Sequence, residues 1–213
     1  MKFIFQESQL SNIEQQLIFD QELLFSISKQ QAAIIRCYEP KELAVIHGCS
    51  QKPEEYINIE NCKVDGIPII KRFSGGGTVL LQPGCLVFSV ISPYNEIIKK
   101  YEIHNAYINL LKPICDVLAY FNILAQFAPP CDLTLNNRKI SGNAQAQKAG
   151  AVIVHGSLLI NANIDLIERY LLHPKEEPAY RVGRSHTKFL CNLKEFGIDI
   201  KALQTKFKTM YAE

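Results

Sequence analysis

Between residues 12 and 28 apolar side chains recur at Ile13, Leu17, Ile18, Leu24 and Phe25 with glutamines and glutamates between them. That spacing, close to 3.6, predicts an amphipathic helix capped at Ser11 or Asn12. The segments 33–38 and 43–46 are β-branched and apolar and read as strands, with Glu39-Pro40-Lys41 as the turn between them. A helix is expected from Lys52 to Cys62, because Pro53 suits a first helical position and Glu54 and Glu55 suit the positive end of the helix dipole. Strands follow at 66–70, 78–81 and 86–91, and Pro83-Gly84 breaks the last two into a hairpin-like pair. Helical periodicity returns from Asn105 to Asn122, where Pro113 either kinks the helix or starts a second one.

Beyond that helix, Asp132-Leu133-Thr134-Leu135 alternates as a strand, Asn136-Asn137 suits a tight turn with positive φ, and Arg138 begins a return strand that Gly142 interrupts. The segment 151–160 is a continuous apolar strand broken at His155-Gly156, 165–172 a short helix, and 178–192 a polar loop with Arg181, Arg184, Ser185 and His186. No linker, repeat or shift in composition divides the 213 residues, so the pattern predicts one α/β domain, residues 1–213, on a mixed sheet.

Composition narrows the function classes. A 47% hydrophobic content and a mean hydropathy near zero are those of an ordinary soluble globular protein. With 23 basic against 21 acidic residues, the net charge of +2 makes no electrostatic claim on nucleic acid or an anionic membrane. Seven cysteines, odd in number and without a C-x-x-C pair, argue against a disulfide framework and a zinc site and fit a reducing cytoplasm. No run approaches the roughly 20 apolar residues that span a bilayer, and the N-terminus turns polar before a signal-type core develops.

Candidate chemistry gathers where glycine interrupts strands. Three consecutive glycines, Gly75, Gly76 and Gly77, sit between two strand-like segments, a costly arrangement unless a turn needs positive φ or a ligand approaches the backbone closely. Arg72 beside them offers a planar cation for carboxylate or phosphate, Ser74 and Thr78 add hydroxyls, and the glycine amides can cradle an anion. The competing reading is a plain hairpin turn. Lys139 stands in a small polar context with Ser141, Asn143 and Gln145, and a period of two would place it on one face with Ser141 and Asn143. Alone it reads more readily as a surface charge, as most lysines are. His155-Gly156 implies close backbone approach to the same cavity, against the alternative of a structural histidine.

In this order the segments Arg72-Phe73-Ser74-Gly75-Gly76-Gly77, Lys139-Ile140-Ser141-Gly142-Asn143-Ala144-Gln145, His155-Gly156-Ser157-Leu158-Leu159 and Asn192-Leu193 resemble the lipoate–protein ligase family of the biotin and lipoate cofactor-transferase superfamily. The resemblance implies a catalytic domain of largely antiparallel sheets flanked by helices, like that of class II biotin and lipoyl ligases, without the small C-terminal accessory domain many members carry. It implies lipoate or octanoate as substrate, ATP with Mg²⁺, an acyl-adenylate, and transfer to a lysine of a lipoyl domain from a 2-oxoacid dehydrogenase complex or the glycine cleavage H protein. A separate accessory subunit is a further possible partner.

On the matching positions, Lys139 and Asp132 are implied as catalytic, with Asp132 also near the metal. Arg72, Ser74, Gly75, Gly76, Gly77, Thr78, Lys139, Ser141, Gly142, Asn143, His155 and Gly156 are implied in binding. The family's Asn-Asp pair reads Cys131-Asp132 here. This keeps open an ATP-independent amidotransferase using a Cys131 thioester, beside a non-catalytic binding relative or subunit.

Overall fold

The structure, a computed structural model, describes every residue except Gln9, Lys175 and Glu213. In chain order its elements are β1 (Phe3–Phe5), α1 (Ile13–Ser26), β2 (Ala33–Tyr38), β3 (Ala44–His47), α2 (Ile59–Val64), β4 (Ile69–Lys71), β5 (Val79–Leu81), β6 (Cys85–Pro93) and α3 (Ile103–Tyr120). After them come β7 (Gln126–Ala128), β8 (Asp132–Leu135), β9 (Arg138–Lys148), β10 (Ala151–Leu159), α4 (Ile164–Tyr170), α5 (His186–Phe189) and α6 (Ile200–Met210).

Seven strands form one sheet in the order β1-β2-β6-β10-β9-β8-β7, and three form a second in the order β4-β3-β5. The large sheet is antiparallel except for β1 against β2. Alternation along its central strands sends Leu86, Phe88, Val90, Val152, Val154 and Leu158 into the core shared with α3 and α6. The opposite face meets α1 and the small sheet, where Ile13, Leu17, Ile46, Leu81 and Val87 pack together. The mixed, mostly antiparallel α/β architecture is therefore as expected.

Several local expectations need correction. The strands around Glu39-Pro40-Lys41 do not pair: β2 belongs to the large sheet and β3 to the small one. The strands around Pro83-Gly84 part in the same way, β5 to the small sheet and β6 to the large. The helix expected over 52–62 divides into a 3-10 turn at Pro53–Glu55 and α2, because Ile57 bridges to Leu171 and Asn58 caps a new start by accepting from the Asn61 amide at 3.1 Å. Pro113 lies inside one continuous α3. On α1 the buried stripe includes Gln16 and Asp20, while Ile18 and Phe25 are exposed. The strands β1 and β7 and the helix α6 have no counterpart in the sequence-based reading, and the segment 178–192 expected as a loop contains the short helix α5.

Candidate active site

The triple glycine joins β4 to β5, which lie on opposite sides of β3, so the loop crosses an end of the small sheet and is no hairpin. Arg72 holds its shape from inside. Buried at 6% exposure, its guanidinium donates Nη2 to the Gly75 carbonyl at 2.6 Å and the Gly77 carbonyl at 2.7 Å, and Nε to Ser74 Oγ at 3.0 Å. Burial pulls its pKa down to about 10, which leaves it cationic at neutral pH. Gly76 has φ +86°, and a β-carbon there would lie 2.9 Å from the Ala144 methyl of β9, so the loop seats directly on the large sheet. Arg72 thus braces the loop, and a fork spent on carbonyls leaves less for the anion that the sequence alone assigned to it.

Ser74 lies behind the loop, its Oγ 2.6 Å from His155 Nε2. His155 Nδ1 in turn faces Asp20 Oδ2 at 3.7 Å, and Asp20 pairs with Arg36 and accepts from Ser89 Oγ at 2.6 Å. Burial raises the Asp20 pKa, but the His155 hydrogen bond and the Arg36 charge outweigh it and hold the carboxyl below its ordinary value.

Across from the loop, β8 and β9 present the second set of groups. Asn136 and Asn137 both have positive φ, 50° and 58°, and close a two-residue turn as expected. Neither Gly142 nor His155-Gly156 breaks its strand; β9 and β10 run through them. Their glycines make room instead. A β-carbon at Gly142 would sit 2.8 Å from Lys139 Nζ, and one at Gly156 would overlap the Asn143 side chain.

The face expected for Lys139 is also corrected. A bulge between Leu133 and Thr134 pairs Thr134 with Lys139 but Leu133 with Ser141 and Asp132 with Gly142, so Lys139 falls on the face of Gly142 and Asp132. Ser141 and Asn143 point to the other face, where Ser141 Oγ donates to Asn143 Oδ1 at 3.0 Å. Lys139 Nζ meets Asp132 Oδ1 at 2.8 Å, and Tyr180 Oη donates to Asp132 Oδ2 at 2.7 Å.

A cavity of about 580 Å³ lies between these two sets of groups. Arg72, Gly76, Gly77, Thr78, Asp132 and Lys139 border it, as do Gly142, Asn143, His155 and Gly156; Ser74, Gly75 and Ser141 stand behind its walls. The rest of the lining is mostly apolar, including Leu17, Ile46, Leu81, Val87, Leu159 and Phe189. A chamber of this kind suits a chain-like apolar molecule whose anionic head reaches the glycine loop and Lys139.

Three participants escaped the sequence reading. Asp20 was legible as a carboxylate at a position of α1 that shares the stripe of Ile13, Leu17 and Leu24. Gln51, which accepts from Thr78 Oγ1 at 2.9 Å and the Gly48 amide at 3.0 Å, and Tyr180 lie in irregular segments that carry no periodic signal.

Cys131 borders the cavity, but burial, reinforced by the Asp132 charge, pushes its thiol up, and Lys139 offsets this only in part. The thiolate that a covalent route requires is disfavoured. For magnesium the donor set is thin. Among the described residues no three His, Cys, Asp or Glu side chains cluster closely enough to hold a metal, and both oxygens of Asp132 are engaged.

Residues 12–211 match the model of the lipoyl protein ligase A/B catalytic domain. Lipoate-protein ligase LplJ of Bacillus subtilis is 29% identical over 166 residues, which cover 78% of this chain and 48% of that protein. The chain spans about half the length of the first curated relatives it matches, 51%, 44% and 48%. Among solved structures, the bipartite lipoate protein ligase of Thermoplasma acidophilum, studied with its E2 lipoyl domain, superposes with a TM-score of 0.83 at 22% identity, covering 100% of this chain and 85% of that one. A lipoate-protein ligase A bound with ATP superposes at 0.81 and 21% identity, covering 98% and 82%. Among the described residues no helix is long and apolar enough to cross a membrane. With nearly its whole length inside the family match, the chain belongs to the lipoyl protein ligase A/B catalytic-domain family.

Proposed function

We propose that the protein is an ATP-dependent ligase that joins lipoate or octanoate to a lysine of a lipoyl domain through an acyl-adenylate. The observation that carries this reading is Lys139: an ammonium paired with Asp132, over a glycine that makes room for it, in the wall of a mostly apolar cavity that the glycine loop also lines. In the first half-reaction a carboxylate oxygen of the acyl substrate attacks the α-phosphorus of ATP and pyrophosphate leaves. Negative charge gathers on the phosphoryl and carboxyl oxygens, where Lys139 and the amides of the loop braced by Arg72 stabilise it. In the second, the acceptor ε-amine attacks the acyl carbon, the bond to AMP breaks, and Asp132 takes the amine proton. Magnesium would arrive with the nucleotide phosphates.

Family membership and the ATP-bound structural neighbour support the nucleotide. The bipartite Thermoplasma relative supports a lipoyl-domain acceptor and a separate accessory subunit. Lipoyl domains of 2-oxoacid dehydrogenase complexes and the glycine cleavage H protein are the acceptors to try. The test is mass spectrometry of an apo lipoyl domain incubated with the protein and either lipoate with ATP·Mg²⁺ or octanoyl carrier protein. Acylation only with ATP is expected. Acylation only from the carrier would replace the ligase with the Cys131 transferase, and neither acylation nor lipoate-dependent pyrophosphate exchange would leave a binding relative.

A further inference from the structure

Asp132 has both carboxylate oxygens engaged, and one partner comes from the polar segment that the sequence leaves without a role. Tyr180 Oη donates to Oδ2 at 2.7 Å while Lys139 occupies Oδ1 at 2.8 Å. The segment is built to hold that hydroxyl still. Residues Ala179–Arg181 form a 3-10 turn, and Val182 and Gly183 follow with φ +52° and +67°, a tight reversal that the Gly183 amide secures on Glu177 Oε1 at 2.7 Å. Arg184 Nη2 donates to the Tyr180 carbonyl at 2.7 Å and to the Asn137 carbonyl at 3.0 Å, tying the segment to the turn between β8 and β9. The Tyr180 ring packs on Phe189 with centroids 5.2 Å apart. Arg184 is therefore an internal strut, and Arg181, whose Nε donates to the Arg184 carbonyl at 2.9 Å, is another.

We propose that Tyr180 is a positioning residue for acyl activation: its hydroxyl occupies Asp132 Oδ2, so that the carboxylate grips Lys139 through one oxygen and leaves the other ammonium hydrogens to the substrate. The inference rests on the ligase reading above. A carboxylate with two free oxygens can take an ammonium on both and hold it harder, whereas one already accepting from a phenol presents less charge at the remaining oxygen. Lysine, a compact cation with three donors, can then exchange partners as charge builds on phosphate. Burial and the Asp132 charge push the Tyr180 phenol well above its ordinary range, so it stays a donor at neutral pH.

The test is lipoate-dependent ATP–pyrophosphate exchange by wild type, Tyr180→Phe, Asp132→Asn and the double variant. Phenylalanine keeps the ring on Phe189 and removes only the hydroxyl. Tyr180→Phe is expected to lower the exchange kcat about tenfold with the KM for lipoate unchanged, and to add little once Asp132→Asn is present. An unchanged kcat, a raised KM with kcat intact, or fully additive losses would overturn the proposal. A wild type that forms no acyl-adenylate fails at the ligase reading and takes this inference with it, whereas an active wild type matched by Tyr180→Phe fails here alone.

Discussion

Two buried carboxylates, Asp20 and Asp132, each pair with a cation on the same side of the large sheet, and the pairs differ in how firmly the cation is held. Asp20 and Arg36 are both 1% exposed. Arg36 also donates Nη1 to the Gln16 carbonyl at 3.2 Å and Nη2 to Ser8 Oγ at 2.9 Å, so both terminal nitrogens of its planar fork are spent on fixed acceptors. Lys139, at 25% exposure, makes one contact to Asp132 and borders the cavity. The first pair locks α1 to the sheet and steadies His155 behind the glycine loop. The second keeps a charge beside an open chamber with donors to spare. Burial with several partners makes a strut, and burial with one partner at a cavity wall makes a reagent.

The comparison breaks most visibly at Lys139. Lys139→Ala should lower acyl-adenylate formation on the order of 10²–10³-fold, the scale for losing one preorganised charge stabiliser, while the protein stays folded. Unaltered turnover would remove Lys139 from the chemistry. At the other pair the damage should be to the fold. Asp20→Ala strands the Arg36 charge in the core and should cost about 3–5 kcal/mol of stability in urea titration, and a wild-type midpoint would show that the pair is no strut.

Acid sharpens the same contrast. The Asp20 pKa in the folded protein lies below its ordinary 3.8, so its contribution is present above that value and is lost as pH falls through the lower folded value. That contribution should stay level near neutrality and be lost below about pH 4, and Asp20→Asn should lack it. The smallest effect is expected at Cys131. Because burial disfavours its thiolate, Cys131→Ser should keep activity within about twofold, and loss of activity with a trapped acyl thioester in the wild type would revive the transferase.

Much of the site was legible in advance because its parts are local. The Asn12 cap, the Asn136-Asn137 turn and the glycine loop depend on backbone preferences within a few residues, and structure and sequence agree on them. The face of Lys139 was not legible. A single bulge reverses the alternation on which the prediction rested, and a bulge arises from pairing between strands. Asp20 and Tyr180 were not picked out, since nothing within their own segments points toward Arg36 and His155 or toward Asp132.

The sequence by itself determined the long helices α1 and α3, most of the central strands and the family pattern that the chemistry-bearing residues follow, because propensity, periodicity and motif spacing are properties of short stretches. Only the tertiary structure decided that neighbouring strands part into two sheets, that Arg72 turns inward to brace its own loop, and that Asp132 is shared between Lys139 and Tyr180. These outcomes depend on contacts between residues far apart in the chain. Burial and the need to satisfy each buried polar group select those contacts after the local elements have formed.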